Sequence, residues 1–252
     1  MDTLGDLVAR ERRSDDPALL VPGDSAREFD YHRFCTTAWK TGNYLRRLGV
    51  RASEERPSDD AADPSGATVA IVPARAPEAV LALLGTALLG ARVRFAPPRD
   101  VPARVLVAPG DRIGEYDLPP GGQRIAFREE ADDPAVSWFG ESVWSENPAF
   151  PPTPVSPGAP ALTDGDRDHS HAALLAAAET VAEEWNLEPG DAVAVRASLA
   201  DPRAVVAGVL APLLAGAAIL LPDGRSTGAF AVVADGDDAP EDDALSPTEV
   251  AL

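Results

Sequence analysis

The sequence predicts an α/β fold made of two similar layered subdomains with mostly parallel sheets. Three observations predict it. The order helix, apolar strand, proline-opened helix, apolar strand occurs twice, over residues 31–98 and 169–222, and recurrence of a whole order marks a duplicated unit. The punctuation recurs with it. Pro77 and Pro202 suit the first turn of a helix, where the missing N–H is not needed, and Gly90 and Gly216 suit the left-handed position that stops one. Finally, residues 69–72 and 219–221 are apolar without alternation, as in strands buried on both faces. Strands that alternate with helices imply parallel crossovers.

The elements follow in order. Residues 3–13 read as a short amphipathic helix, with Leu4, Leu7 and Val8 at helical spacing. Residues 18–21 read as a strand, 22–25 as a turn and 28–30 as the return, a hairpin that leads into Tyr31. A helix over 31–48 stops at Gly49. The acidic Asp/Ser/Pro/Ala stretch 53–66 reads as a mobile, solvated loop. The first repeat is the strand 68–72, the helix 79–89 and the strand 93–96. Strands are expected at 104–108 and 123–127, separated by a Pro/Gly-rich stretch. Residues 129–160 read as irregular and proline-dense, pinned to the body by Trp138 and Trp144. The second repeat is the strand 192–195, the helix 204–214 and the strand 218–221. Residues 230–234 read as a last strand, and 235–252 as an acidic tail with little to bury. The expected domains are therefore 1–160, 161–234 and the tail 235–252.

Composition narrows the function. A chain of 252 residues has room for a real core. A net charge of −19 excludes a nucleic-acid binder, which needs a basic footprint. Lys40 is the only lysine among 22 basic residues. An Asp-, Glu-, Ala- and Arg-rich chain nearly free of lysine reads as a halophilic protein of haloarchaeal type, whose self-repulsion is screened by concentrated salt. An acidic protein of any GC-rich organism is the alternative. Cys35 is the only cysteine, which excludes an internal disulfide or a multi-cysteine metal site, and it reads as a buried, inert thiol. The first residues lack the pattern of a signal peptide, and no apolar stretch is long enough to span a membrane. A soluble, cytoplasmic protein with no membrane partner is expected.

The order of motifs resembles one family. Asp30-Tyr31-His32-Arg33-Phe34, then Leu45-Arg46-Arg47-Leu48-Gly49-Val50, Pro77-Glu78-Ala79-Val80 and Leu89-Gly90-Ala91 look like the start of adenylate-forming (AMP-binding) enzymes. These are the acyl-CoA synthetases, the adenylation domains of peptide synthetases, and the luciferases. His169-Ser170-His171-Ala172-Ala173-Leu174-Leu175 resembles the segment after that family's phosphate loop. Leu187-Glu188-Pro189-Gly190-Asp191 and residues 210–216 resemble the lines that follow it. The resemblance reaches to about Pro222 and implies the fold of the family's N-terminal part.

The departures matter more. The family holds ATP phosphates with a Ser/Thr/Gly-rich loop that ends in Lys-Gly, because glycines let backbone N–H groups approach and a lysine offsets charge. The matching position here reads Thr163-Asp164-Gly165-Asp166-Arg167-Asp168. Three carboxylates repel a triphosphate, and Arg167 alone does not reverse the sign. Between Pro222 and Leu252 the family's adenine- and ribose-binding motifs and its mobile C-terminal domain are not expected.

Asp164, Asp166, Asp168, His169 and His171 are the only dense cluster of ligand-type residues. One reading is a divalent metal site, with Asp166, Asp168, His169 and His171 as candidates. The favoured reading is a solvated acidic loop shortened by decay, with Asp168 or Ser170 capping the helix that follows. No catalytic residue, metal or cofactor is expected. The expectation is a non-catalytic homologue of AMP-dependent acyl-CoA synthetases, retained to bind a small acyl-type ligand or a protein partner. The alternative is an acid–thiol ligase-like enzyme that works with a second polypeptide, and only then with ATP/AMP and Mg²⁺.

Overall fold

The computed structural model describes residues 1–23, 26–52 and 67–252. The expected acidic loop 53–66 and part of the expected turn 22–25 lie outside the described residues. Contacts divide the chain into two compact units. The first contains Met1–Cys35, Arg75–Pro77 and His171–Leu252, and the second Thr36–Ala74 and Glu78–Ser170.

Both units are α/β with mostly parallel sheets, as the sequence predicts. In the second unit, β3 (Thr68–Ile71), α2 (Pro77–Ala87) and β4 (Arg92–Phe95) form one crossover, with β3 and β4 parallel neighbours. In the first unit, β10 (Ala192–Val195) and β11 (Ala218–Leu220) are parallel neighbours in the same way. They are joined by α5 (Pro202–Val205), a π-helical stretch Val206–Leu210 and α6 (Ala211–Ala215). Pro77 and Pro202 each open their helix, and Asp201 caps the second by accepting the Arg203 N–H at 2.9 Å. Gly90 and Gly216 have φ of 64° and 81°, the left-handed conformation that glycine adopts without a Cβ penalty. Every residue of β3 is buried, and each fully buried Val or Leu in such a strand contributes about 1.5–3 kcal/mol.

The wider strand order reveals how the duplication is built. The sheet of the second unit runs β7 (Val136–Trp138), β6 (Gln123–Phe127), β5 (Val105–Pro109), β3, β4, β8 (Pro160–Thr163), β9 (Asp168–Ser170). The sheet of the first unit runs β13 (Asp243–Leu245), β12 (Phe230–Val232), β10, β11, β1 (Pro17–Val21), β2 (Arg27–Asp30). Each sheet thus ends in an antiparallel hairpin, and each hairpin comes from the other repeat. β1–β2 precedes α1 (Tyr31–Arg47) and the crossover β3–α2–β4, yet β1 pairs in parallel with β11. β8–β9 precedes α4 (His171–Glu184) and the crossover that begins at β10, yet β8 pairs with β4. The two hairpins share their opening, Pro17-Ala18-Leu19 and Pro160-Ala161-Leu162, and each has a register irregularity just after its proline.

The units therefore fall elsewhere than the expected split 1–160 and 161–234. The physical reason is that an apolar run identifies a strand, whereas its pairing partner is chosen by long-range packing. Four local expectations also differ. Residues 3–13 form two short 3-10 helices, Leu4–Val8 and Arg10–Arg12, in place of one α-helix. The stretch 129–160 contains β7 and α3 (Phe139–Trp144), elements too short to carry a period. Trp138 packs on the apolar cluster around Leu106 and Tyr116, but Trp144 is 78% exposed and pins nothing by burial. The tail 235–252 is not idle. It supplies the edge strand β13, parallel to β12, and the buried side chains of Glu241 and Val250.

Candidate functional site

The stretch 163–168 is the turn of the β8–β9 hairpin, and it is closed by its own side chains. Asp164 Oδ1 accepts the N–H groups of both Asp166 and Arg167 at 2.8 Å. Thr163 Oγ1 accepts the Gly165 N–H at 3.2 Å and donates to the Arg167 carbonyl at 3.0 Å. The Asp164 N–H donates to the same carbonyl at 3.2 Å. Gly165 has φ of 104°, which the tight turn requires. The Arg167 and Asp166 amides hold the Asp164 carboxyl below its usual range. Successive backbone N–H groups converging on one point are what a phosphate-holding turn offers its ligand. Here a built-in carboxylate occupies them.

The neighbouring candidates go different ways. Asp164, Asp166, Arg167 and Asp168 are exposed. The Asp168 carboxylate pairs with Arg92 Nη1 at 2.9 Å, and Asp164 Oδ2 lies 3.7 Å from His169 Nε2. His171 belongs to the first unit, where its fully buried ring accepts the Leu4 N–H on Nδ1 at 3.1 Å. The structure therefore does not bring Asp166, Asp168, His169 and His171 to one point. Among the described residues no group of three or more His, Cys, Asp or Glu side chains is placed to hold a metal ion.

His171 has a structural consequence of its own. Burial pushes its pKa down from 6.5 to about 4, although Asp6 pulls the other way. A folded-state value below the unfolded one means that the unfolded chain takes up the proton first. Stability should therefore fall as pH drops from about 6.5 towards 4, by up to roughly 3 kcal/mol. His171→Gln should flatten that part of the pH profile in urea unfolding.

Sequence reasoning missed two residues. Arg92 and Arg94 lie on β4, where the sequence signals only an apolar strand. Their alternation with the buried Val93 and Phe95 was the available signal. They place two guanidinium groups beside the hairpin turn. With Thr68, Pro102, Thr163, Gly165, Asp166 and Asp168 they line a cleft of about 410 Å³, wholly within the second unit.

No protein-family model and no curated protein matches the chain. Solved structures do. The anthranilate CoA ligase AuaEII, in complex with anthranoyl-AMP, superposes with a TM-score of 0.73 at 18% identity, over 91% of this chain and 48% of that one. The N-terminal domain of FACL13 from Mycobacterium tuberculosis gives 0.69 at 16% identity, over 92% and 63%. The nonribosomal peptide synthetase FmoA3 gives 0.64 at 20% identity, over 86% and 22%. The chain spans less than two thirds of the length of each. It has the fold of the N-terminal part of adenylate-forming enzymes.

Proposed function

We propose that this chain is a non-catalytic relative of the AMP-dependent acyl-CoA synthetases and ligases, retained to bind a small ligand of acyl type or a protein partner. The fold supports the kinship. The turn at 163–168 carries the loss of catalysis, because Asp164 fills the amides that would otherwise face a phosphate. A triphosphate would have to displace that carboxylate and then meet Asp166. Asp168 and Arg92 neutralise each other, so Arg94 and Arg167 would face a ligand of several negative charges with Asp164 and Asp166 opposing them. The acidic surface, with net charge −19 and one lysine, supports a salt-rich cytoplasm as the working environment.

A second reading is favoured by the likeness to a CoA ligase: a ligase-like enzyme completed by another polypeptide, using ATP and Mg²⁺. Calorimetric titration in molar KCl separates the two. ATP·Mg²⁺ and AMP should give no saturable heat, whereas at least one acyl compound should. Saturable ATP·Mg²⁺ binding would favour the ligase reading.

A further inference from the structure

The cleft beside the hairpin turn holds a guanidinium that no described residue pairs with. Arg92 and Arg94 are two residues apart on β4, so both side chains emerge from one face of the strand. Their situations differ. Arg92 is committed, with Nη1 on Asp168 and Nη2 on Thr68 Oγ1 at 3.3 Å. The Arg94 side chain makes no hydrogen bond and no ion pair with any described residue, although its Nε is buried. A partly desolvated guanidinium without a partner is costly, and neither Asp164 nor Asp168 pairs with it. Asp164 is spent on the turn, and Asp168 on Arg92.

The geometry also makes room for that guanidinium. A Cβ placed on Gly165 would stand 2.7 Å from Arg94 Nη2, so the glycine lets the guanidinium lie against the turn backbone. The cleft volume of about 410 Å³ suits a small molecule. Its lining carries two arginines and two aspartates. With Arg92 and Asp168 paired, the lining charges left over are Arg94 and Asp166, so a ligand with one negative charge can pair with the guanidinium while each further negative charge meets the repulsion of Asp166.

We propose that this cleft binds a small organic monocarboxylate, with Arg94 holding the carboxylate. The planar guanidinium fork fits two carboxylate oxygens at once. Asp166, exposed at the rim, opposes any polyanion that enters by the same route. The proposal deepens the ligand-binding reading above. It needs no nucleotide, so it is tested without one, and its failure leaves the assay of catalysis untouched.

The test is a calorimetric titration of the whole chain at fixed KCl with acetate, propionate, benzoate and inorganic phosphate. At least one carboxylate should saturate in the millimolar range, and phosphate should bind more weakly. Arg94→Gln should weaken the carboxylate about tenfold or more, the loss of one charge-assisted pair. Arg94→Lys, which keeps the charge and loses the fork, should weaken it as well. Asp166→Asn should strengthen it. Circular dichroism checks that each variant is folded, and if Arg94→Gln is not, Arg94→Lys decides. The proposal is overturned by any of three results: no carboxylate saturates, phosphate binds as tightly as the best carboxylate, or folded Arg94 variants bind as the parent does.

Discussion

Arg196→Met should lower the free energy of unfolding by about 3–5 kcal/mol at neutral pH, the range for removing one partner of a buried ion pair. Arg196 follows β10 and reaches the tail segment that precedes β13. Its Nε donates to Glu241 Oε2 at 2.8 Å and its Nη2 to Oε1 at 2.7 Å. The Ser226 carbonyl accepts from Nη2 at 2.9 Å, and Glu241 Oε1 also accepts the Gly228 N–H at 3.1 Å. The Glu241 side chain is fully buried and that of Arg196 is 14% exposed. Burial alone would raise the Glu241 pKa, but the Arg196 bonds and the Gly228 N–H outweigh it and hold the carboxyl below its usual range. A depressed folded-state value contributes stability above the unfolded pKa, and that stability is lost as pH falls through the folded one. In the variant the stranded carboxylate is relieved by protonation, so the deficit should shrink at acid pH. The double variant Arg196→Met/Glu241→Met should recover most of the loss, because replacing a whole buried pair with apolar groups is often neutral. Urea unfolding in constant salt measures all three. A single-variant loss near zero would mean that the tail does not hold the β12 edge.

The second large effect follows from the exchanged hairpins. A chain opened between Pro154 and Val155 yields one fragment with β1–β2 but without β11, and another with β8–β9 but without β4. Each fragment therefore holds a hairpin whose sheet is on the other, and exposes a strand edge that the missing hairpin covers. Open apolar edges and lost burial leave such halves unable to fold alone. Neither fragment should give a cooperative urea transition by circular dichroism. An equimolar mixture should give one close to that of the whole chain. Cooperative folding of either fragment alone would contradict the exchange.

Much of this fold was legible in the sequence, and the rest was hidden for stateable reasons. Pro77, Pro202, Gly90 and Gly216 mark local backbone conformations, which the chain specifies residue by residue, and they lie where those conformations require. The short apolar strands 68–72 and 192–195 were equally plain. Pairing was not, because nothing in Pro17-Ala18-Leu19 or Pro160-Ala161-Leu162 names the strand beside it. The tail was misread because Glu241, a buried charge, is indistinguishable in sequence from the exposed acids around it. At the candidate site, the turn residues Thr163–Asp168 were visible by composition. That Asp164 closes the turn depends on the tight backbone at Gly165, which no spacing rule supplied. Arg92 and Arg94 were overlooked because β4 was judged by its buried Val93 and Phe95.

The central claim is that the turn at 163–168 is filled from within and that this chain forms no acyl-adenylate. The most direct test is pyrophosphate release from ATP·Mg²⁺ by the purified protein in molar KCl, with a panel of aliphatic and aromatic carboxylic acids. The account predicts release equal to a protein-free blank for every acid. It also predicts no gain for Asp164→Gly, which empties the turn amides but leaves Asp166 against the phosphates and supplies no lysine. Steady, carboxylate-dependent release from the parent chain, well above the blank, would contradict it.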